Sequence, residues 1–161
     1  MVTLRPALHS DRPFLEQMLE VAFDWRGDAP AQVLSTLMQR PETAHYVEGW
    51  PREGDVGFVA DDGDPIGAAW WRYLTHDDPG YGYVDDNTPE ISMGVVASHR
   101  GQGVGTALLG ALCNEARRRD MPALSLSVED GNRAAALYRR LGFESIGRVG
   151  NSDTMVLELH S

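Results

Sequence analysis

Between Glu90 and Gly110 the chain reads EISMGVVASHRGQGVGTALLG, and these residue types describe a site for an anion. Ile91, Met93, Val95 and Val96 carry the pattern of a half-buried strand. Glycines at 101, 103 and 105 follow, and Leu108, Leu109, Leu112, Cys113 and Ala116 then recur at helical spacing. Strand, glycine loop and helix together leave backbone N–H groups without partners at the positive end of a helix dipole, where phosphate oxygens can be held by backbone alone. Glycine lets the chain come that close, because no Cβ stands between amide and ligand. A P-loop would end in Gly-Lys-Ser/Thr, whereas Gly105 is followed directly by Thr106. A dinucleotide fingerprint would need a third glycine after a two-residue gap from Gly103, where Thr106 stands. Neither fits, and on the letters alone a glycine-rich connection with no ligand stays open.

A second segment bears on that choice. Arg100-Gly101-Gln102-Gly103-Val104-Gly105 meets the pattern Arg/Gln-x-x-Gly-x-Gly/Ala, and Asn132-Arg133-Ala134-Ala135-Ala136-Leu137-Tyr138-Arg139-Arg140-Leu141-Gly142-Phe143 meets Asn-x-x-Ala-x-x-Leu-Tyr-x-x-x-Gly-Phe. In this order, with one predicted strand between them, the two segments resemble those of the GCN5-related N-acetyltransferases. The resemblance implies an α/β (α+β) acyl-CoA N-acyltransferase fold, with a mixed, mostly antiparallel sheet of about seven strands flanked by four helices. It places acyl-CoA in a gap between the strand at 90–96 and a parallel strand at 123–128. It assigns the loop of Arg100, Gly101, Gln102, Gly103, Val104, Gly105 and Thr106 to the pyrophosphate of acetyl-CoA, and the amides of Val95 and Val96, freed by a strand bulge, to the thioester oxygen. Acetyl-CoA is the implied co-substrate, and no metal is implied. Ala97 departs from a position where the family often has proline, at the strand-to-loop bend and not in the phosphate cradle.

Acetyl transfer to an amine needs a neutral nucleophile, a polarised carbonyl and a proton for the leaving thiolate. An alkylamine with pKa near 10.4 is neutral in only about one molecule in 10³ at pH 7, so a positioned carboxylate helps to remove its proton. Glu90 stands where some family members carry that base; the other reading is a solvated carboxylate at a strand end. Tyr138 is the implied acid for the thiolate, against a plain core aromatic. Asn132 either binds the pantetheine or caps the helix that follows. Cys113, the single cysteine, falls on the apolar stripe of its helix and reads as core.

The remaining elements must position these groups within one domain spanning residues 1–161. Residues 2–5 read as an edge strand, and Ser10 or Asp11 as the N-cap of a helix to about residue 22, with Leu15, Met18, Leu19 and Ala22 inward. A second helix is expected over about 30–38 with Val33, Leu34 and Leu37 inward, and Trp25 between the two either packs helix against helix or contacts substrate. Residues 41–54 show no period and read as loop or a marginal helix. Strands at 56–60 and 65–74 flank the turn Asp61-Asp62-Gly63-Asp64, and in the second Ala68, Trp70 and Arg72 should face opposite to Ala69, Trp71 and Tyr73. Gly142 reads as a C-cap, and 143–148 with 154–159 as a closing hairpin.

Residues 75–89 are polar, with Asp77, Asp78, Asp85 and Asp86 among Tyr81 and Tyr83. They read either as a solvated connection or as a flap that draws cationic amines toward Glu90. A net charge of −10 gives no footprint for nucleic acid. With one cysteine, no signal-like start and no long apolar run, a cytoplasmic chain without membrane contact is expected. The expected activity is transfer of acetyl from acetyl-CoA to a primary amine of a small cationic molecule, by direct attack in a ternary complex, in a monomer or homodimer. Acetylation of protein N-termini or lysines, or a non-catalytic acyl-CoA sensor, are the alternatives.

Overall fold

Side-chain alternation along residues 65–72 sets the layering of the molecule. In the computed structural model, which describes residues 1–159, Ala68 and Trp70 enter one core while Ala69 and Trp71 enter the other, as a side-chain period of two requires. In chain order the elements are β1 (Thr3–Pro6), α1 (Arg12–Phe23), α2 (Ala31–Leu34), α3 (Pro41–Ala44), β2 (Val56–Asp61), β3 (Pro65–Arg72), β4 (Glu90–Val95), α4 (Val104–Arg118), β5 (Ala123–Glu129), α5 (Ala134–Arg140), β6 (Glu144–Val149) and β7 (Ser152–Glu158). They form one seven-stranded sheet in the order β1-β2-β3-β4-β5-β7-β6. Every neighbouring pair is antiparallel except β4 with β5. This is the mixed, mostly antiparallel sheet that the two motifs imply.

On one face α4 buries Leu108, Leu109, Leu112 and Cys113 against β2, β3, β4 and β5, and each such leucine contributes roughly 1.5–3 kcal/mol by leaving water. On the other, Leu15, Met18 and Leu19 of α1 pack with Tyr46, Val47 and Trp50, which follow α3. Arg72 lies under that second layer at 1% exposure. Its guanidinium meets Asp55 at 2.6 Å and the carbonyls of His45 and Glu48 at 3.0 and 2.6 Å, the pairing that makes a buried cation tolerable.

Three local expectations are revised. The helix expected over 30–38 is only the single turn α2 followed by a 3-10 turn at Leu37–Gln39. The Ser35 and Thr36 hydroxyls donate to the carbonyls of Gln32 (3.1 Å) and Val33 (2.8 Å), competing with helical bonds, and Val33 is exposed where it was expected inward. Among the described residues there are thus five α-helices where four were expected, two of them single turns. Asp11 holds the N-cap position of α1 as expected, but its side chain does not cap the helix: its carboxylate takes the Arg5 guanidinium at 2.7 and 2.8 Å and the Leu8 amide at 2.7 Å. No helix among the described residues is long and apolar enough to cross a membrane.

Candidate active site

The two central strands meet at one point. The parallel register of β4 with β5 consists of Glu90 opposite Ser125, with the Ser125 amide donating to the Pro89 carbonyl at 3.0 Å. Beyond it β4 stays with β3 and β5 with β7, and the opening holds a cavity of about 1090 Å³. Its walls come from 91–95 of β4, Leu126, Ser127 and Glu129 of β5, the loop before α4, and α5.

Backbone direction decides which amides face this gap. The Val96 N–H, expected to be free, donates to the Ile66 carbonyl at 2.9 Å, so Val96 does not supply a donor. The expected bulge is absent too, since the register from Gly67 opposite Val95 to Arg72 opposite Glu90 runs without a shift. Because hydrogen bonding alternates along an antiparallel ladder, the Val95 and Met93 amides point to the opposite edge, toward the departing β5. Divergence of the strands, not a bulge, turns them to the cavity.

The glycine loop closes the far side. Gly101 and Gly103 have φ of +75° and +84°, and a Cβ on either would meet nothing within 4 Å. Glycine serves there for conformation and for an open approach. Gly103 begins α4 without a side-chain cap, and the amides of Val104, Gly105 and Thr106 lie in the first turn, ahead of the bond from Ala107 to the Gly103 carbonyl. Arg100, Gly101, Gly103, Val104, Gly105 and Thr106 all line the cavity; Gln102 does not, and its amide donates to the Ser98 carbonyl at 3.4 Å. Arg133 and Arg140 add positive charge to the same walls. Backbone donors, a helix dipole and guanidinium groups around open space fit the pyrophosphate of an acyl-CoA.

Asn132 is a lining residue and also a cap, its Oδ1 accepting from the Ala134 amide at 2.9 Å. At the other end of α5 the Phe143 amide donates to the Tyr138 carbonyl at 3.0 Å across Gly142, whose φ is +104°, the Schellman closure. That bond and the Phe143 ring, 6.0 Å from the Tyr138 ring, fix Tyr138 on the cavity wall. Burial pushes its hydroxyl up to about 12. Among the described residues the hydroxyl has no hydrogen-bond partner, so its proton is available to the cavity.

Glu90 is a buried carboxyl, 4% exposed, not a solvated strand end. Burial raises it to about 7 against the Tyr46 hydroxyl and the Gly82 amide, which favour the charged form. The Tyr46 hydroxyl donates to Oε2 at 2.8 Å. The Gly82 amide faces the carboxyl without closing a bond of normal geometry, and Oε1 is left with no partner. Phe23, Tyr46 and Tyr81 surround this end, with Phe23 6.3 Å from the Tyr46 ring and 6.2 Å from that of Tyr81.

The aspartates of 75–89 take no part in these walls. Asp78 accepts from His45 Nδ1 at 2.8 Å, Asp85 from the Asn87 amide at 2.9 Å, and Asp86 from the His76 amide and the Tyr83 hydroxyl. They tie the loop to itself and to the segment after α3, while its Tyr81 reaches the cavity. Trp25, expected to pack between helices, also lines the cavity, with the Arg26 guanidinium over its ring at 4.6 Å. Sequence reasoning missed Tyr46 altogether. It stands in a stretch without period, and only the fold brings it to Glu90, 44 positions along.

Known proteins share this fold. The PaiA N-acetyltransferase of Thermoplasma acidophilum, solved in complex with coenzyme A, superposes with a TM-score of 0.74 at 14% identity over 98% of this chain and 99% of its own. YncA of Salmonella typhimurium, solved with its cofactor acetyl-CoA, gives 0.68 at 22% identity over 100% and 95%. At these identities the likeness is one of fold. An L-methionine sulfoximine/L-methionine sulfone acetyltransferase of Pseudomonas aeruginosa is 41% identical over 63 residues, 38% of this chain and 37% of that relative, so the match spans little more than a third of the relative's length. The family model for "Acetyltransferase (GNAT) family" matches residues 15–143. That span takes in the parting strands, the glycine loop and the Tyr138 helix together, and the chain belongs to the GNAT family of acetyltransferases.

Proposed function

We propose that the protein transfers acetyl from acetyl-CoA to the primary amine of a small molecule, by direct attack within a ternary complex. The observation that carries this reading is the buried Glu90 carboxyl, one oxygen of which has no partner, in the wall of the cavity that also takes in the α4 N-terminus. A carboxyl raised to about 7 is poised to take a proton near neutral pH. The Val104, Gly105 and Thr106 amides hold the pyrophosphate, with Arg100 and Arg133 beside them. Acetyl-CoA supplies the thioester: a C–N bond forms to the acceptor nitrogen and the C–S bond breaks.

Glu90 Oε1 takes the proton the nitrogen must lose, the Val95 amide receives the carbonyl oxygen as it gains charge, and Tyr138 gives its proton to the departing sulfur. Cys113 takes no part: it is buried among the apolar residues of α4, and burial pushes its thiol up. No acetyl-enzyme then forms.

The acceptor end favours one ammonium group on an apolar body. The cavity is lined by two carboxylates, Glu90 and Glu129, and Glu129 is engaged by Arg26 at 3.4 Å. Phe23, Tyr46 and Tyr81 offer ring faces that suit both an ammonium and the carbon attached to it. Reading the loop aspartates as an attractor for dications loses its support, since they lie outside the walls. Initial rates with both substrates varied test the reading: intersecting lines and no acetylated protein by mass spectrometry are expected. Parallel lines with an acetylated protein would replace direct attack by a covalent route.

A further inference from the structure

Glu90 is held by a residue outside both sequence motifs. Tyr46 is 4% exposed, and its hydroxyl sits between two partners, donating to Glu90 Oε2 at 2.8 Å and accepting from the Tyr81 amide at 2.8 Å. Its backbone is fixed as well, because the Trp70 indole donates to its carbonyl at 2.9 Å. The phenol therefore has one geometry, with its single proton committed to Oε2. Gly80 completes the arrangement. A Cβ there would stand 2.1 Å from Glu90 Oε1 and 2.7 Å from the Tyr46 hydroxyl, so only glycine lets the loop pass this close to the carboxyl and its clamp.

We propose that Tyr46 is a positioning residue for acetyl transfer: its hydroxyl, locked by the Tyr81 amide, clamps Oε2 of Glu90 and leaves Oε1 alone to receive the proton of the acceptor amine. The inference rests on the role of Glu90 proposed above. Without the clamp the carboxyl could rotate about its terminal torsion, which is broad for glutamate, and present either oxygen or neither.

The groups facing Glu90 come from each neighbouring element. The Tyr46 hydroxyl follows α3, and the Tyr81 and Gly82 amides belong to the 75–89 loop. The Ser125 hydroxyl is on β5 at the paired position, buried without a partner. Arg72 is opposite on β3 but turns its guanidinium to Asp55. Among the described residues Tyr46 is thus the one side chain that hydrogen-bonds the carboxylate, and removing it must destabilise the charged form relative to the neutral one.

The experiment is a ¹³C NMR titration of the Glu90 carboxyl, assigned with Glu90→Gln, in wild type, in Tyr46→Phe and in protein carrying 3-fluorotyrosine at position 46. It is paired with the pH dependence of kcat/KM for an accepted amine. The Glu90 titration should move up by about 0.5–1 pH unit in Tyr46→Phe and down in the fluorinated protein, whose phenol is the stronger donor. The acid limb of kcat/KM should follow in both, with acetyl-CoA affinity unchanged. A merely structural tyrosine would alter stability or all rates alike and leave the titration in place. An unmoved titration in the folded fluorinated protein overturns the proposal even if Tyr46→Phe does not fold. An acid limb that persists in Glu90→Gln overturns the role of Glu90 instead; a limb lost there but unmoved in both Tyr46 proteins overturns the clamp alone.

Discussion

Glu90 and Ser125 sit side by side where the parallel strands β4 and β5 pair, and their spatial relationship accounts for the site. On the Pro89 side the sheet is closed by the Ser125 amide; on the other the strands part around the cavity. The carboxyl is thereby placed at the apex of the opening, where burial acts on it fully.

The first consequence concerns stability. Glu90 is raised in the folded protein from 4.5 to about 7, so folding favours its protonated form. Its neutral form carries no penalty below pH 4.5, and stability is lost as the pH rises through the interval to 7. Glu90→Gln, which cannot ionise, should therefore gain about 3 kcal/mol over wild type between pH 4.5 and 8. Urea unfolding at several pH values measures this, and a difference independent of pH would contradict the burial argument.

For the phosphate cradle, Gly103→Glu should weaken acetyl-CoA binding by about 10²-fold or more, from a carboxylate at a helix N-terminus built for anions and a side chain at φ +84°. Gly103→Asn separates the two causes, since asparagine tolerates that conformation and adds no charge. Titration calorimetry should show Asn binding far better than Glu; equal affinities would remove the cradle from the account.

Tyr138→Phe should lower kcat by about 10²-fold, as for loss of a general acid, while acetyl-CoA affinity and Tm stay close to wild type. Among the described residues the hydroxyl has no partner to orphan, so its removal leaves no unsatisfied group. Wild-type turnover would return Tyr138 to the role of a core aromatic.

Replacing both Asp85 and Asp86 with Asn should leave KM for any amine within about twofold, because exposed charges away from a site are screened over ~8 Å at 0.15 M salt and these two serve their own loop. A several-fold rise confined to dicationic acceptors would restore the loop as an electrostatic flap.

Much of this architecture was legible before any coordinates. The alternation of Ala68, Ala69, Trp70 and Trp71, the α4 stripe through Cys113 and the Gly142 cap all follow from period or from a backbone conformation that few residues adopt. Glu90, Tyr138 and the glycine loop lie in segments whose spacing is local, and they do line one cavity. Tyr46 was invisible because its role depends on a contact between distant segments, which no periodicity encodes. The break in the helix expected at 30–38 was hidden differently: Ser35 and Thr36 outweigh the apolar spacing by bonding the backbone themselves. Val96 was misassigned because the direction of an amide depends on which neighbouring strand it pairs with.

The central claim is that this cavity turns over. The most direct measurement is CoA thiol release from acetyl-CoA with and without a panel of amines, with products identified by mass, in wild type and in Glu90→Gln. The account predicts release that depends on a monoamine with an apolar body, an N-acetyl product in equal amount, and a fall of about 10²-fold or more in Glu90→Gln near pH 7. Tight binding of acetyl-CoA with no thiol released for any small amine or peptide would contradict it, and would make the domain a sensor of acyl-CoA.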